Sequence, residues 1–294
     1  MLDRFLNPQV LAGVTSLELV AKTVVDGFVS GLHRSPDFGF SQEFAEYRAY
    51  TEGDDLRHVD WNVFARTEKV VLKRFRGETN SQITVILDAS ASMGFGSGVS
   101  KMDYARFLSA SILYMANLQR DAYGVIVFDD EIRNYVQPSS RQGQLHRVLH
   151  ALDKAEPAAR TDYAKPFFHF QQFHRRRGIT AVVSDFFEDP KKIVETIAPL
   201  RFHGNDVVMF HLLDPEEYRP KFRDSVLLVD SETKRTVEVT ADYARTEYGP
   251  KIDAHIAALR SEAQSSGLDY FQVMTDRPLD AALREYLTLR KGRN

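Results

Sequence analysis

The chain has 294 residues, of which 43% are hydrophobic and 27% charged, no cysteine, and a formal net charge of −3. That length suits one large α/β domain plus an attached segment. Disulfides, thiolate metal sites and cysteine nucleophiles are excluded, and the charge gives no electrostatic reason to expect nucleic acid as partner.

In chain order, Asn7-Pro8 offers a cap and a first-turn proline, and the apolar spacing behind them predicts one helix over 8–32. Glu18, Lys22 and Asp26 share one face, while Leu11, Val14, Leu17, Leu19, Val24, Val25 and Phe28 form the apolar side. The segment therefore reads as amphipathic and not as a membrane span. The first residues lack the charged-then-apolar pattern of a signal peptide, so a cytoplasmic location is expected. Residues 33–42 are turn-rich. Within 43–67, Asp54, Asp55, Arg57, Asp60 and Trp61 read as a capped turn with internal ion pairs and a half-buried Trp61. Val70–Phe75 reads as a short strand.

Beyond residue 82 the pattern alternates. A strand at 83–87 precedes a helix at 101–119, opened by Ser100-Lys101-Met102-Asp103 as a capping box. Strands at 122–128 and 131–136 meet at the hairpin-like Asp129-Asp130. Helices follow at about 140–153 and 162–176, then a strand at 179–184, a helix at 189–199 and a strand at 206–213. Residues 214–240 read as a hairpin insertion with strands at 226–229 and 236–239. A helix over 242–265, a strand over 269–274 and a helix over 278–289 complete the pattern. Alternating βαβ units predict a mainly parallel sheet with helices on both faces, and the single tight β–β connection predicts one antiparallel edge strand.

The chemistry concentrates where the first buried strand ends. Ile83–Leu87 delivers Asp88, Ser90 and Ser92 to the loop at the strand's carboxyl end, where open α/β sheets bind ligands. This hard, all-oxygen set suits Mg²⁺, Mn²⁺ or Ca²⁺ better than Zn²⁺ or copper. Thr161-Asp162 lies in a polar turn, and Val182-Val183-Ser184-Asp185 is a second apolar strand ending in a carboxylate. The competing structural reading has Ser90 and Ser92 capping loop amides and Asp185 capping the helix near 189. Gly94-Phe95-Gly96-Ser97-Gly98 fits no phosphate-binding motif, since position 99 is valine, and reads as a flexible rim. Asp88 as a phosphoryl-accepting nucleophile would require a second aspartate at position 90, where Ser90 stands. Phe167, Phe168, Phe170 and Phe173, with Phe186 and Phe187, are expected to pack beneath this edge.

Taken together, Asp88, Ser90, Ser92, Thr161 and Asp185 resemble the metal-ion-dependent adhesion site of a von Willebrand factor A domain. In that family the serines and threonine touch the metal, the aspartates mostly hold its waters, and one position is left for a partner's acidic residue. Upstream, Arg48-Ala49-Tyr50-Thr51-Glu52-Gly53-Asp54-Asp55-Leu56-Arg57-His58-Val59-Asp60-Trp61 resembles the signature of the bacterial family called domain of unknown function 58. The resemblance implies a von Willebrand factor A-like, Rossmann-type α/β domain over 81–294, with a hairpin insertion at 214–240. Residues 1–80 would be an N-terminal helical and irregular segment packing on it. It also implies a divalent cation (Mg²⁺, or else Mn²⁺ or Ca²⁺) and a non-enzymatic role as adaptor of a MoxR-type AAA+ ATPase or its client. Two departures stand out: Arg160 replaces the glycine usual before the threonine, and the two N-terminal membrane helices of many members are missing. The alternatives are a metal-assisted phosphatase using Asp88 and a scaffold that never holds metal.

Overall fold

The computed structural model describes residues 7–32, 44–51, 59–75, 82–158, 162–173, 177–222, 224–232, 234–280 and 282–284. The turn-rich stretch 33–42, signature residues 52–58, Arg160 and Thr161 lie outside the described residues, as does the run from 285 onward. The chain forms two units, one of residues 29–80 and one of residues 1–28 with 81–294.

The N-terminal helix is split. Helix α1 (Pro8–Leu11) is capped by Asn7, whose side chain accepts the Gln9 N–H, and α2 (Leu17–Leu32) begins anew. Gly13 and the β-branched Val14 and Thr15 leave a helix at little cost, and the Ser16 hydroxyl accepts the Leu19 N–H at 3.3 Å. A local cap therefore overrides the continuous apolar spacing. Val20, Ala21, Val24, Val25 and Phe28 are buried, whereas Leu19, expected on the apolar side, is 54% exposed.

In unit 29–80, β1 (Phe44–Ala49) pairs antiparallel with β2 (Val71–Phe75), and α3 (Trp61–Thr67) intervenes. Asp60 is buried and accepts the Val63 N–H at 3.3 Å, as a capped turn requires. Trp61 is not half-buried. It is 57% exposed and meets Phe64 edge-to-face at 6.0 Å.

The larger unit is built on a six-stranded sheet in the order β10-β7-β6-β3-β4-β5. Its strands are β3 (Gln82–Asp88), β4 (Ala122–Phe128), β5 (Ile132–Ser139), β6 (Gly178–Ser184), β7 (Asp206–Leu213) and β10 (Asp269–Met274). All pairings are parallel except β4–β5, which places the antiparallel strand at one edge. The intervening β8 (Val226–Val229) and β9 (Thr236–Val239) form the separate hairpin expected in 214–240. From central β3 the chain builds toward β5 on one side and toward β10 on the other, so the topological switch falls between β3 and β6.

Helix α4 (Lys101–Leu118) contacts β3, β4, β6 and β7, and α5 (Gln144–Asp153) contacts β4 and β5. The side chains of Ile86, Ile126, Val182 and Met209 line up across the sheet and share a core with α6 (Ala164–Phe173), α7 (Pro190–Ile197) and α10 (Gly249–Ser265), through Phe167, Phe170, Ile193, Ile197 and Leu259. Alternation along the strands turns Val85, Leu87, Val127 and Val183 to the opposite face. Short α8 (Pro215–Tyr218) follows β7, and α9 (Ala241–Tyr243) continues through a π-helical turn into α10. Among the aromatics expected beneath the site, Phe167, Phe170 and Phe186 are buried, while Phe168 and Phe187 are exposed. The Phe173 side chain lies outside those described. Among the described residues, no helix is long and apolar enough to cross a membrane.

Ile86, fully packed in the central strand, is expected to cost about 2–5 kcal/mol when cut to alanine. Leu19→Ala should cost less than about 0.5 kcal/mol. Urea unfolding of the two variants checks this, and comparable losses would contradict the helix orientation.

Candidate functional site

The site lies at the switch point, where the carboxyl ends of β3 and β6 adjoin. Both strands are mostly apolar and largely buried, interrupted by Thr84 and Thr180, and they end on Asp88 and Ser184. Asp88 ends β3 and is fully buried. One of its oxygens accepts the Ser90 N–H at 2.8 Å, and the other accepts the Ser184 hydroxyl at 2.6 Å. Tyr163 stands over this pair, its hydroxyl 2.7 Å from Ser184 Oγ and 3.4 Å from Asp88. Burial, and secondarily the negative charge of Asp185, push the Asp88 carboxyl up to about 7.

Ser90 Oγ and Ser92 Oγ lie 3.0 Å apart. Ser90 opens a 3₁₀ turn at Ala91–Gly94 without using its side chain as a cap, and α7 is capped by Asp189, not Asp185. Asp185 therefore does not cap α7, and the Ser90 side chain does not cap the turn that follows it. Adjacent ligands of an octahedral Mg²⁺, each about 2.0–2.1 Å from the metal, stand about 2.9 Å from one another. The two hydroxyls hydrogen-bond each other at a spacing that also suits two adjacent ligands of a small hard cation. Among the described residues, no group of three or more His, Cys, Asp or Glu could hold a metal, so any cation here would depend on these hydroxyls.

Thr161 lies outside the described residues, but its flanks converge on the site. The Ala158 N–H donates to the Ala89 carbonyl at 3.1 Å, and the Asp162 N–H donates to the Asp129 carbonyl at 3.1 Å. The structure thus brings Asp88, Ser90, Ser92 and Asp185 to one edge.

Lys101, Glu217 and Asp214 belong to this edge and were not singled out from the sequence. The Lys101 ammonium, with no exposed surface, contacts Asp185 Oδ2 at 2.7 Å and Glu217 Oε1 at 2.6 Å. Burial alone would lower its pKa, but the two carboxylates outweigh that and hold it above the usual lysine range. Burial raises Glu217, against the opposing pull of the Lys101 charge. Asp214 caps α8 in a capping box with Glu217. It also accepts the Ser97 N–H at 2.9 Å and hydrogen bonds from the Ser97 and Thr275 hydroxyls. Ser97 ties the glycine-rich loop down, and a Cβ on Gly96 would collide with the Val99 carbonyl and Ser100. The rim read as flexible is therefore anchored.

A parallel sheet with one antiparallel edge and a D-x-S-x-S loop at its switch point defines a von Willebrand factor A-like domain. The chain belongs to the family described as Protein of unknown function DUF58, whose model matches residues 46–258. It is 26% identical to an uncharacterized protein of Mycobacterium tuberculosis (strain H37Rv), over 97% of this chain and 91% of that one. Among solved structures it is similar to the conserved hypothetical protein BatB from Bacteroides thetaiotaomicron, at 14% identity over 72% of this chain and 99% of that one, with a TM-score of 0.46. It is also similar to the SpRpn10 VWA domain, at 12% identity over 69% and 93% of the two chains, with a TM-score of 0.38.

Asp88 carries a pH prediction. Its pKa is about 7 in the folded chain against an ordinary 3.8, so the folded state binds the extra proton between those values. Its contribution to stability is present at low pH and is lost as pH rises from about 4 through 7. The stability of Asp88→Asn relative to the wild type, both metal-free, should therefore shift in the variant's favour as pH rises from 5 to 8. Thermal melts in EDTA at the two pH values check it. A Tm difference that is the same at both would show that Asp88 does not carry this burial cost.

Proposed function

We propose that this protein is a non-enzymatic interaction module whose contact with its partner depends on a divalent cation held by Asp88, Ser90, Ser92, Thr161 and Asp185. Mg²⁺ is the first candidate, with Mn²⁺ and Ca²⁺ as alternatives. The observation that carries the reading is the pair of serine hydroxyls, hydrogen-bonded at 3.0 Å beside buried Asp88, with the Ser90 side chain making no helix cap. Neutral hydroxyls leave much of a cation's charge unneutralised, and that charge attracts an external carboxylate. The partner accordingly offers an acidic side chain.

The family resemblance supplies the partner's class, a MoxR-type AAA+ ATPase or the client on which it acts in complex assembly or metal insertion. An ATP-driven motor works where ATP is, so the same reading places the protein in the cytoplasm. Hydrolysis by Asp88 has less support. Ser90 occupies the position where a second acid would be wanted.

Pull-down of the cognate ATPase in Mg²⁺ and in EDTA tests the proposal, using the wild type, Asp88→Ala and Ser90→Ala. Binding should fall at least tenfold in EDTA and in each variant. Equal capture under all conditions removes the cation from the contact.

A further inference from the structure

Lys101 is the first residue of α4, directly after the Ser100 cap. The positive end of a helix is the least favourable place on it for a cation. Exposed, this lysine would need no explanation. Its ammonium is instead fully buried, 5.1 Å from the Phe187 ring, and shared between carboxylates from two other segments, Asp185 after β6 and Glu217 in α8. Asp185 is also one of the candidate cation ligands, and its charge reaches Asp88. The edge therefore holds Asp88, Asp185, Asp214 and Glu217 against one buried ammonium. Asp214 is served by N–H and O–H donors, and Asp88 likewise, which leaves Asp185 as the carboxylate where lysine and a metal ion would meet.

We propose that Lys101 is a resident counter-ion that competes with the divalent cation for Asp185 and thereby sets the affinity of the site. The inference rests on the reading that Asp88, Ser90, Ser92 and Asp185 hold a cation. While Lys101 is on Asp185, the chain neutralises that carboxylate by itself. When a cation draws on the Asp185 charge, Glu217 retains the ammonium without exposing it, because Glu217 Oε1 already lies 2.6 Å from Nζ. The alternative partner is held in place, since the second Glu217 oxygen accepts the Asp214 N–H at 3.4 Å and Asp214 in turn holds Ser97 of the glycine-rich loop. Two carboxylates around one ammonium thus give the lysine a second anchor when the metal claims the first.

The competition predicts opposite shifts from two substitutions. Calorimetric titration of the full chain with Mn²⁺ should show at least tenfold tighter binding in Lys101→Met. Binding should be several-fold weaker in Glu217→Gln, where the ammonium has only Asp185 as an anionic partner. Lys192→Met, which removes an exposed lysine paired with Glu188, should leave the affinity unchanged. If Lys101→Met does not fold, Glu217→Gln decides alone: weaker binding supports the competition and unchanged or tighter binding overturns it. Equal Mn²⁺ affinity in the wild type and both site variants overturns the inference while leaving the cation-dependent contact standing. Binding by Lys101→Met but not by the wild type supports the inference in its strongest form and removes the metal from the native contact. No binding by any variant overturns both.

Discussion

Taking an ammonium fully out of water costs several kcal/mol even after the protein relaxes around it, and at Lys101 the expense is met only because Asp185 and Glu217 approach within 2.7 and 2.6 Å. Those carboxylates come from the loop after β6 and from α8, so the lysine cannot be buried unless three separate segments arrive together. The same set continues through the Asp214–Glu217 capping box to Ser97 and Thr275. The carboxyl edge of the sheet is therefore fastened by charge-assisted hydrogen bonds, whereas the layers beneath it are held by apolar packing. Removing Lys101 would leave two carboxylates without their shared counter-ion, which is far costlier than losing an exposed pair.

Asp88 shows what such an edge sacrifices. A carboxylate held fully buried beside another negative charge raises the free energy of the folded chain near neutral pH. Hydrogen bonds from the Ser90 N–H and the Ser184 hydroxyl offset only part of that. Sites that do chemistry or binding commonly break a local rule of stability and are compensated elsewhere, and the apolar strands on either side of Asp88 provide that compensation here.

How much of this was legible depends on how far each signal reaches along the chain. Strands β3, β6 and β7 are buried on both faces and read directly as apolar runs, and the Asp129-Asp130 turn revealed the antiparallel edge. Asp88, Ser90, Ser92 and Asp185 could be picked out because each follows the end of such a run. The split of the first helix escaped because Ser16 acts through one local hydrogen bond that hydrophobic periodicity does not register. Strand β1 escaped because Glu46 and Arg48 interrupt its apolar residues. Lys101 and Glu217 carried no local sign of their role: their separations of 84 and 116 residues from Asp185 and Lys101 are closed only by the fold. Next to a good N-cap, Lys101 reads as an ordinary solvated residue.

Phe186, immediately after Asp185, adopts a left-handed backbone with φ of 48°. An L-residue held so forfeits about 1–2 kcal/mol. Its ring is buried, stacked with Tyr163 at 6.1 Å and edge-on to His211 at 5.7 Å, while its N–H donates to Ser184 Oγ and its carbonyl accepts from His255 Nε2. The backbone next to Asp185 is in this way tied to how one aromatic ring seats in the interior. A substitution among the rings around Phe186 would therefore act on the peptide beside Asp185 from inside the core, and not through the groups that touch its carboxylate.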